Sequence, residues 1–431
     1  MRALPFPGRF WPMMILLGGL AWSSLAQAIP AFARQYQMSC SLCHSAFPRL
    51  SAFGETFRDD MNMRLPNWKE ASTTDTKDDR LVLPASLPLA LRAQAFVQGR
   101  DSEEIDPLTG PTGKRSSFDF QAPYLIKLLA AAPLSEHISF YFYGIFAEKG
   151  QNGSVVIEDA WFRHDDVFGS GIGMQFGQFQ ISDLMFPRET RLTFQDFQLY
   201  RMAGVTYERG VVFGRDVGRL QLDLGAVNGN GINANVNINS PGYRRPDRMF
   251  DNDDRKSVFG RLGAALGPVS AGLFGLSGSQ RSAAGAAGQN SGSRDTDRVI
   301  YGVDFSGRIG AKTSWFAQAL WNRWDGFLDA DPGRNLRWFG AFAGVDYVRN
   351  DRWAYSLLYN HNDAGDFEGT RTIFEGISMR TLTLAASYYF MRNVKGVIEL
   401  NADFLKKDRD ADFVGHETRE NYIVIGFDAA F

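Results

Sequence analysis

The sequence predicts an all-β fold: a barrel of roughly 16 antiparallel strands in an outer membrane, behind a short, mainly helical N-terminal segment. Three observations predict it. After Leu87 the polarity alternates strand by strand to the end of the chain, the connections alternate between long and short, and the last strand closes on an aromatic, Phe431. Composition agrees, with 13% aromatic residues, 44 glycines and a mean hydropathy of only -0.23. No apolar run after residue 30 approaches the roughly 20 residues of a membrane helix. A soluble β-sandwich would share this composition, so the connections carry more weight. The near-balanced charge, a formal net of -2, gives no indication of a nucleic-acid partner.

The clearest strand runs from Val394 to Phe404. Val394, Gly396, Ile398, Leu400, Ala402 and Phe404 share one face, and Lys395, Val397, Glu399, Asn401 and Asp403 share the other. Leu382 to Phe390 and the terminal strand, with Ile423, Ile425, Phe427 and Ala429 on one face, repeat the pattern. Candidate strands fall near residues 88–99, 118–131, 137–148, 155–165, 171–179, 199–209, 219–228, 256–266, 269–280, 297–308, 311–324, 336–348, 352–361, 377–390, 394–406 and 420–431. Long connections such as 101–116, 180–198, 229–255 and 281–296 alternate with short ones such as Gly267-Pro268, Ile309-Gly310 and Met391-Arg392-Asn393. Outer-membrane barrels place short turns on the periplasmic rim and long loops outside. The connection 210–218 is longer than this rule expects. Trp315, Trp321, Trp324, Trp338, Trp353 and Tyr347 are candidates for interfacial girdles.

The N-terminus reads as an export signal over residues 1–28: Arg2 and Arg9, an apolar core from Trp11 to Trp22, and the small-residue site Ala26-Gln27-Ala28. The segment 29–68 holds both cysteines, in the run Cys40-Ser41-Leu42-Cys43-His44. C-x-x-C-H suits covalent haem attachment. Two thiols three positions apart reach two vinyl groups of one porphyrin, and the adjoining imidazole meets the iron. A disulfide between Cys40 and Cys43 is the alternative in an oxidising compartment, whereas a thioredoxin-like pair wants a βαβ context that is missing. Phe47, Leu50, Phe53 and Phe57 recur at helical spacing and predict a short amphipathic helix from Phe47 to Asp60 with Pro48 in its first turn. Under about 40 residues cannot enclose a haem alone, so the missing wall must come from elsewhere. Residues 69–86 read as a polar linker and 87–431 as the barrel.

These stretches resemble a known family, the fused outer-membrane cytochrome-porins of iron-oxidising bacteria, in which a one-haem segment precedes a porin barrel. The resemblance rests on Ile29-Pro30-Ala31-Phe32-Ala33-Arg34, on Cys40 to His44, and on Phe47 to Arg58. It also rests on Gly177 to Asp183, with Arg188-Glu189 and Arg191 to Phe194. Family members often continue past the helix with a Gly-Tyr pair, whereas this chain has Asp60-Met61-Asn62-Met63. The resemblance implies an Fe(II) oxidase: an outer-membrane electron conduit that takes electrons from extracellular Fe(II) and passes them to a periplasmic cytochrome c.

The expected cofactor is one haem c, held by Cys40 and Cys43 with His44 as proximal ligand. Met61 or Met63 is the candidate distal ligand, since methionine ligation raises the potential; the alternative is that both fill gaps against the haem edge. Met38 lies too close to the attachment site to fold over easily. His137 and His164 sit on predicted strands as lumen candidates, against the plainer reading of ordinary polar residues. The connection 180–198, with Asp183, Arg188, Glu189, Arg191 and Asp196, is expected to enter the lumen, either walling in the haem or as an ordinary constriction loop. Asp101, Glu103, Glu104 and Asp106, and Asp251, Asp253 and Asp254, offer hard oxygens to a divalent ion, or else a solvated surface. Two rival functions stand beside the conduit: a passive or substrate-selective porin with a Cys40–Cys43 disulfide, and a haem barrel exporting electrons.

Overall fold

A computed structural model describes residues 31–65, 73–78, 80–84, 88–106, 110–148, 151–229, 255–281, 295–328, 331–368, 370, 378–391, 393–404 and 417–431. The expected export signal, most of the long connection 229–255 with Asp251, Asp253 and Asp254, and the side chains of Glu103, Glu104 and Asp106 lie outside what is described.

The N-terminal segment comprises helices Ala31–Tyr36, Cys40–Cys43 and Ala52–Asp59, with strands β1 (His44–Ala46) and β2 (Arg49–Leu50) paired between the last two. A second small hairpin, β3 (Thr73–Asp75) with β4 (Val82–Pro84), falls within residues 69–86. The barrel follows as β5 (Leu89–Asp106), β6 (Gly110–Pro133), β7 (Ile138–Glu148), β8 (Gln151–His164), β9 (Gly173–Gln180), β10 (Tyr207–Val217), β11 (Leu220–Val227) and β12 (Ser257–Leu266). It continues as β13 (Val269–Arg281), β14 (Asp295–Ile309), β15 (Thr313–Asp325), β16 (Leu336–Val348), β17 (Trp353–Asp363), β18 (Met379–Met391), β19 (Val394–Asp403) and β20 (Glu417–Ala430). All 16 pair with their sequence neighbours, and β20 pairs antiparallel with β5, from Ala430 opposite Arg92 to Glu417 opposite Glu104. That last pairing closes the barrel and leaves no free edge.

Polarity separates a membrane barrel from a soluble sandwich, and here it is inverted. On β19 the apolar set is outside, with Ile398 42% and Leu400 47% exposed, while Lys395, Glu399 and Asn401 are 2%, 0% and 5% exposed inside. On β20 Ile425 and Phe427 face out, and Tyr422, Val424 and Asp428 face in. A sandwich in water would bury the apolar face; lipid reverses the preference. The chain is an outer-membrane barrel in contact with lipid.

Four expectations need correction. Residues 199–209 are not a strand: Gln198–Ala203 is helical and β10 begins at Tyr207, so 210–217 is strand and the turn is Gly218-Arg219. Helix does not start at Phe47. Residues 44–50 form the β1–β2 hairpin, and the helix opens at Ala52, where the Ser51 hydroxyl caps the Gly54 N–H at 3.1 Å. The expected long loop 101–116 is mostly strand, since β5 and β6 stay paired to Asp106 opposite Gly110. Finally, Trp324 and Trp338 point inward, 3% and 4% exposed, whereas Trp321 and Tyr347 face outward as girdle residues do.

Placing a charge on the lipid face tests this orientation. Leu400→Arg is expected to cost about 2–4 kcal/mol of folding free energy in lipid vesicles, followed by urea titration. A change below about 0.5 kcal/mol would mean that this face is wet.

Candidate functional site

The N-terminal segment sits in the short-turn end of the barrel and reaches opposite walls. Asn62 donates to the His137 carbonyl at 3.0 Å and accepts from Ser139 Oγ at 2.5 Å. Arg163 on β8 donates to the carbonyls of Arg58 and Asp59 at 3.1 and 2.6 Å. Across the lumen, Arg308 pairs with Glu55 at 2.8 Å, Arg49 with Asp346 at 3.5 Å, and Lys395 donates to the Phe47 carbonyl at 2.6 Å. These partners stand close to the turns that obey the short-connection rule, so the segment occupies the periplasmic mouth.

Within it, Cys40–Cys43 makes one helical turn with Ser39 as N-cap, which puts both sulfurs on one face. No disulfide joins them, and Cys40 is exposed while Cys43 is half-buried. His44 starts β1. Its Nδ1 lies 3.1 Å from the Pro48 carbonyl, which leaves Nε2 for a ligand, and its ring stands edge-on to Phe47 at 5.5 Å. Burial lowers the His44 pKa, with Lys395 and Arg92 adding to the effect against backbone hydrogen bonds that oppose it. The imidazole is therefore neutral near pH 7, the form that binds metal. Two thiols on one face and a neutral imidazole with one ring nitrogen tied back form the donor set used for covalent haem, and the residues fit that group.

The helix Ala52–Asp59 packs directly against the Cys40–Cys43 turn. A Cβ on Gly54 would fall 2.0 Å from the Cys43 carbonyl oxygen, so no larger residue fits there. Phe53 and Phe57 extend an apolar cluster with Tyr36, Met38, Met61, Met63 and Tyr141. Met63 is 4% exposed. It takes a left-handed φ of 60°, stabilised by Met63 N–H to the Phe57 carbonyl at 2.9 Å and Tyr36 Oη to the Met63 carbonyl at 3.1 Å. Met38, Met61 and Met63 thus share one cluster despite their separation in sequence.

The connection 180–198 enters the lumen as expected, within a longer inserted segment, 181–206. Its base is closed by Ile181 N–H to the Thr206 carbonyl at 3.0 Å and Ser182 N–H to the Val205 carbonyl at 3.1 Å. Ile181, Phe186, Phe197, Leu199 and Tyr200 pack against inward residues of the far wall, among them Phe316, Leu320, Phe342 and Leu358. Phe197 stacks on Phe342 at 4.4 Å. Glu399 anchors the tip, accepting from Phe194 N–H at 2.5 Å, Gln195 N–H at 2.8 Å and Tyr422 Oη at 2.8 Å. Arg188 holds Asp196, and Leu192 touches Ala46 of the N-terminal segment.

On the other side Lys127 bonds Glu189 at 2.7 Å, and Tyr143 donates to the same carboxylate at 2.8 Å. Burial pushes the Glu189 pKa up, but Lys127, Arg191 and Arg188 outweigh it and hold the carboxyl at about 2. A depressed carboxylate stabilises above its ordinary pKa, so this anchor persists at neutral pH and weakens as pH falls toward 2.

Several of these residues escaped the sequence reading: Lys127, Glu158, Asp159 and the ion pair of Arg92 with Asp428 at 2.8 Å. One signal existed. Glu158-Asp159 breaks the alternation of β8, and the structure has a bulge there, with Tyr143 opposite Asp159 and Gly144 opposite Ile157. Gln178 Nε2 holds the bulge through the Ile157 and Glu158 carbonyls at 2.6 and 2.9 Å. His137 and His164, weighed as lumen candidates against the plainer reading of ordinary polar residues, stand on the rim, stacked at 5.6 Å with His137 Nδ1 2.8 Å from Asp165. No cluster of three or more metal-binding side chains occurs among the described residues.

Two substitutions probe this geometry. Gly54→Ala is expected to cost about 1–3 kcal/mol locally and to expose residues 31–65 to protease while the barrel stays heat-modifiable on gels; unchanged protection would contradict the contact. Glu399→Ala removes the carboxyl acceptor of two backbone N–H groups, worth about 0.5–1.5 kcal/mol each. Single-channel conductance in planar bilayers should then rise, and an unchanged conductance would show that Glu399 does not hold the loop.

The fold is similar to that of the anion-selective porin from Comamonas acidovorans, at 13% sequence identity and a TM-score of 0.53, over 80% of this chain and 99% of that one. It is also similar to the outer membrane channel DcaP of Acinetobacter baumannii, at 14% identity and a TM-score of 0.50, over 79% of this chain and 97% of that one. No family model matches the chain, and no curated protein matches it. The chain therefore has the fold of an outer-membrane porin, a closed barrel of 16 antiparallel strands.

Proposed function

We propose that this protein is an outer-membrane electron conduit that takes an electron from extracellular Fe(II) and passes it to a periplasmic cytochrome c. One observation carries the reading: the Cys40-to-His44 donor set is mounted inside the periplasmic mouth of a barrel, with the ring nitrogen His44 Nε2 left for iron. Cys40 and Cys43 form the thioether links of one haem c, and His44 is its proximal ligand. Met61 or Met63 supplies the distal ligand from the cluster beside Phe57. The bound haem supplies one-electron chemistry at a potential raised by methionine.

The remaining work belongs to the polypeptide. Pro48 fixes the tautomer and orientation of His44. Phe53, Phe57 and Tyr36 give an apolar surface that excludes water. The inserted loop and the barrel wall complete an enclosure that 35 residues cannot provide alone. Reaction is balanced: one electron leaves Fe(II) as Fe(III), and the same electron reduces the periplasmic acceptor. This makes the activity that of an iron:cytochrome c oxidoreductase.

Purified full-length protein should show one covalent haem per chain by pyridine haemochrome, and ferrous iron should reduce it. Absence of covalent haem, or an oxidised haem that Fe(II) leaves unreduced, ends the proposal. His44→Ala should lower the rate of Fe(II)-driven reduction by more than about tenfold, since it removes a metal ligand rather than an outer contact. Were the chain a passive porin with a Cys40–Cys43 disulfide, that variant would conduct as the parent does and no redox step would be lost.

A further inference from the structure

We propose that a small polar cavity behind Phe47 seats a propionate carboxylate of the haem tethered at Cys40 and Cys43. The inference rests on the haem reading above and adds residues to it. The cavity, about 70 Å³, lies between the inserted loop and the walls formed by β5, β6, β19 and β20. A water needs roughly 10–15 Å³ by this measure, so the space takes a few waters or small carboxylates and no porphyrin ring.

Its lining includes Arg92, Lys127, Arg191 and Lys395, with Glu189 and Asp428 as the acidic members. Arg92 grips Asp428 through two bonds of 3.0 and 2.8 Å, and Lys395 adds a contact to the same carboxylate at 3.5 Å. Lys127 takes Glu189 at 2.7 Å. Glu158 stands 3.9 Å from Lys127 as well, so each of these cations has a carboxylate beside it. Arg191 meets Asp196 at 3.5 Å through NH1, but its Nε is buried and donates to no group among the described residues. A buried guanidinium N–H left without an acceptor is costly, so an acceptor belongs in the cavity that Arg191 lines. A haem propionate supplies one.

Position agrees with charge. The His44 ring contacts Phe47 at 5.5 Å, and the same Phe47 ring lies 5.0 Å from the Arg92 guanidinium and 5.7 Å from Lys395 Nζ. One aromatic ring therefore separates the proximal ligand from two of the cations. Cys40 and Cys43 would hold the haem, and the cations beside Phe47 would be within reach of its polar groups. Arg191 then acts as a positioning residue, and the loop that carries it becomes part of the haem seat.

Spectroelectrochemical titration and resonance Raman spectra of full-length, haem-loaded protein in detergent test this. Arg191→Gln should lower the midpoint potential so that the ferric-to-ferrous ratio at a fixed ambient potential rises about tenfold, equal to about 59 mV for one electron. Arg191→Lys should restore most of it. The propionate bending band should sit at the frequency of a salt-bridged carboxylate in the parent and fall in Arg191→Gln; the parent spectrum stands as evidence even if that variant fails to fold. Folded, haem-loaded Arg191→Gln with an unchanged potential and band overturns the assignment and leaves the conduit standing. A parent potential that moves with added acetate or chloride also overturns it, because the cavity would then hold an exchangeable anion. A parent without covalent haem instead removes the conduit itself.

Discussion

Lipid offers the backbone no hydrogen-bond partner, and the rest of this structure follows from that constraint. Each strand must pair on both sides, so the sheet closes where β20 meets β5. Closure in turn fixes polarity. Outward positions such as Ile398, Leu400, Ile425 and Phe427 face hydrocarbon, which sends Lys395, Glu399 and Asp428 inward. A lumen lined by such residues must either hold water or pair them. Here much of it is paired.

The interior is filled from two directions. From the short-turn end come residues 31–65, tied to β7, β8, β14, β16 and β19 by side-chain bonds and ion pairs. From β9 comes the segment 181–206, which brings an apolar face to the far wall and its polar tip to Glu399. The two meet at Leu192 and Ala46. Neither is large enough to fold around a core of its own, and each uses the barrel as the missing half. The fold of the Cys40-to-His44 turn is thereby coupled to barrel closure.

Strand number and the alternation of short and long connections were legible because each depends on local spacing. Errors fell where tertiary packing overrode period. Leu199, Tyr200, Met202 and Val205 read as a strand because short apolar runs do not separate a period of 2 from one of 3.6. They are apolar because they build a core inside the lumen. Phe47 joined the helical series of Phe53 and Phe57 by spacing alone, yet it lies on a hairpin beneath Arg92 and Lys395. No pattern in the sequence pairs Arg49 with Asp346 or Lys127 with Glu189, since barrel closure and loop insertion bring those residues together. The bulge at Glu158 was the exception, visible as a broken alternation.

The filled lumen also bears on the choice between conduit and passive porin. A diffusion pore works by keeping water continuous from rim to rim, and a constriction loop narrows that path without closing it. This barrel packs Phe186, Phe197, Tyr200 and Phe342 into a cluster across its interior and seats residues 31–65 in its periplasmic mouth. Such packing works against solute flux and confers no benefit on a pore that must stay wet. Electron transfer needs the opposite: a low-dielectric, rigid surround for a cofactor, with little reorganisation of water as its charge changes. The Met63 backbone, held at a left-handed φ of 60° by Tyr36 and Phe57, is rigidity of that kind within the N-terminal segment. A barrel filled in this way would insulate a redox centre well, which is the physical support for the proposed conduit.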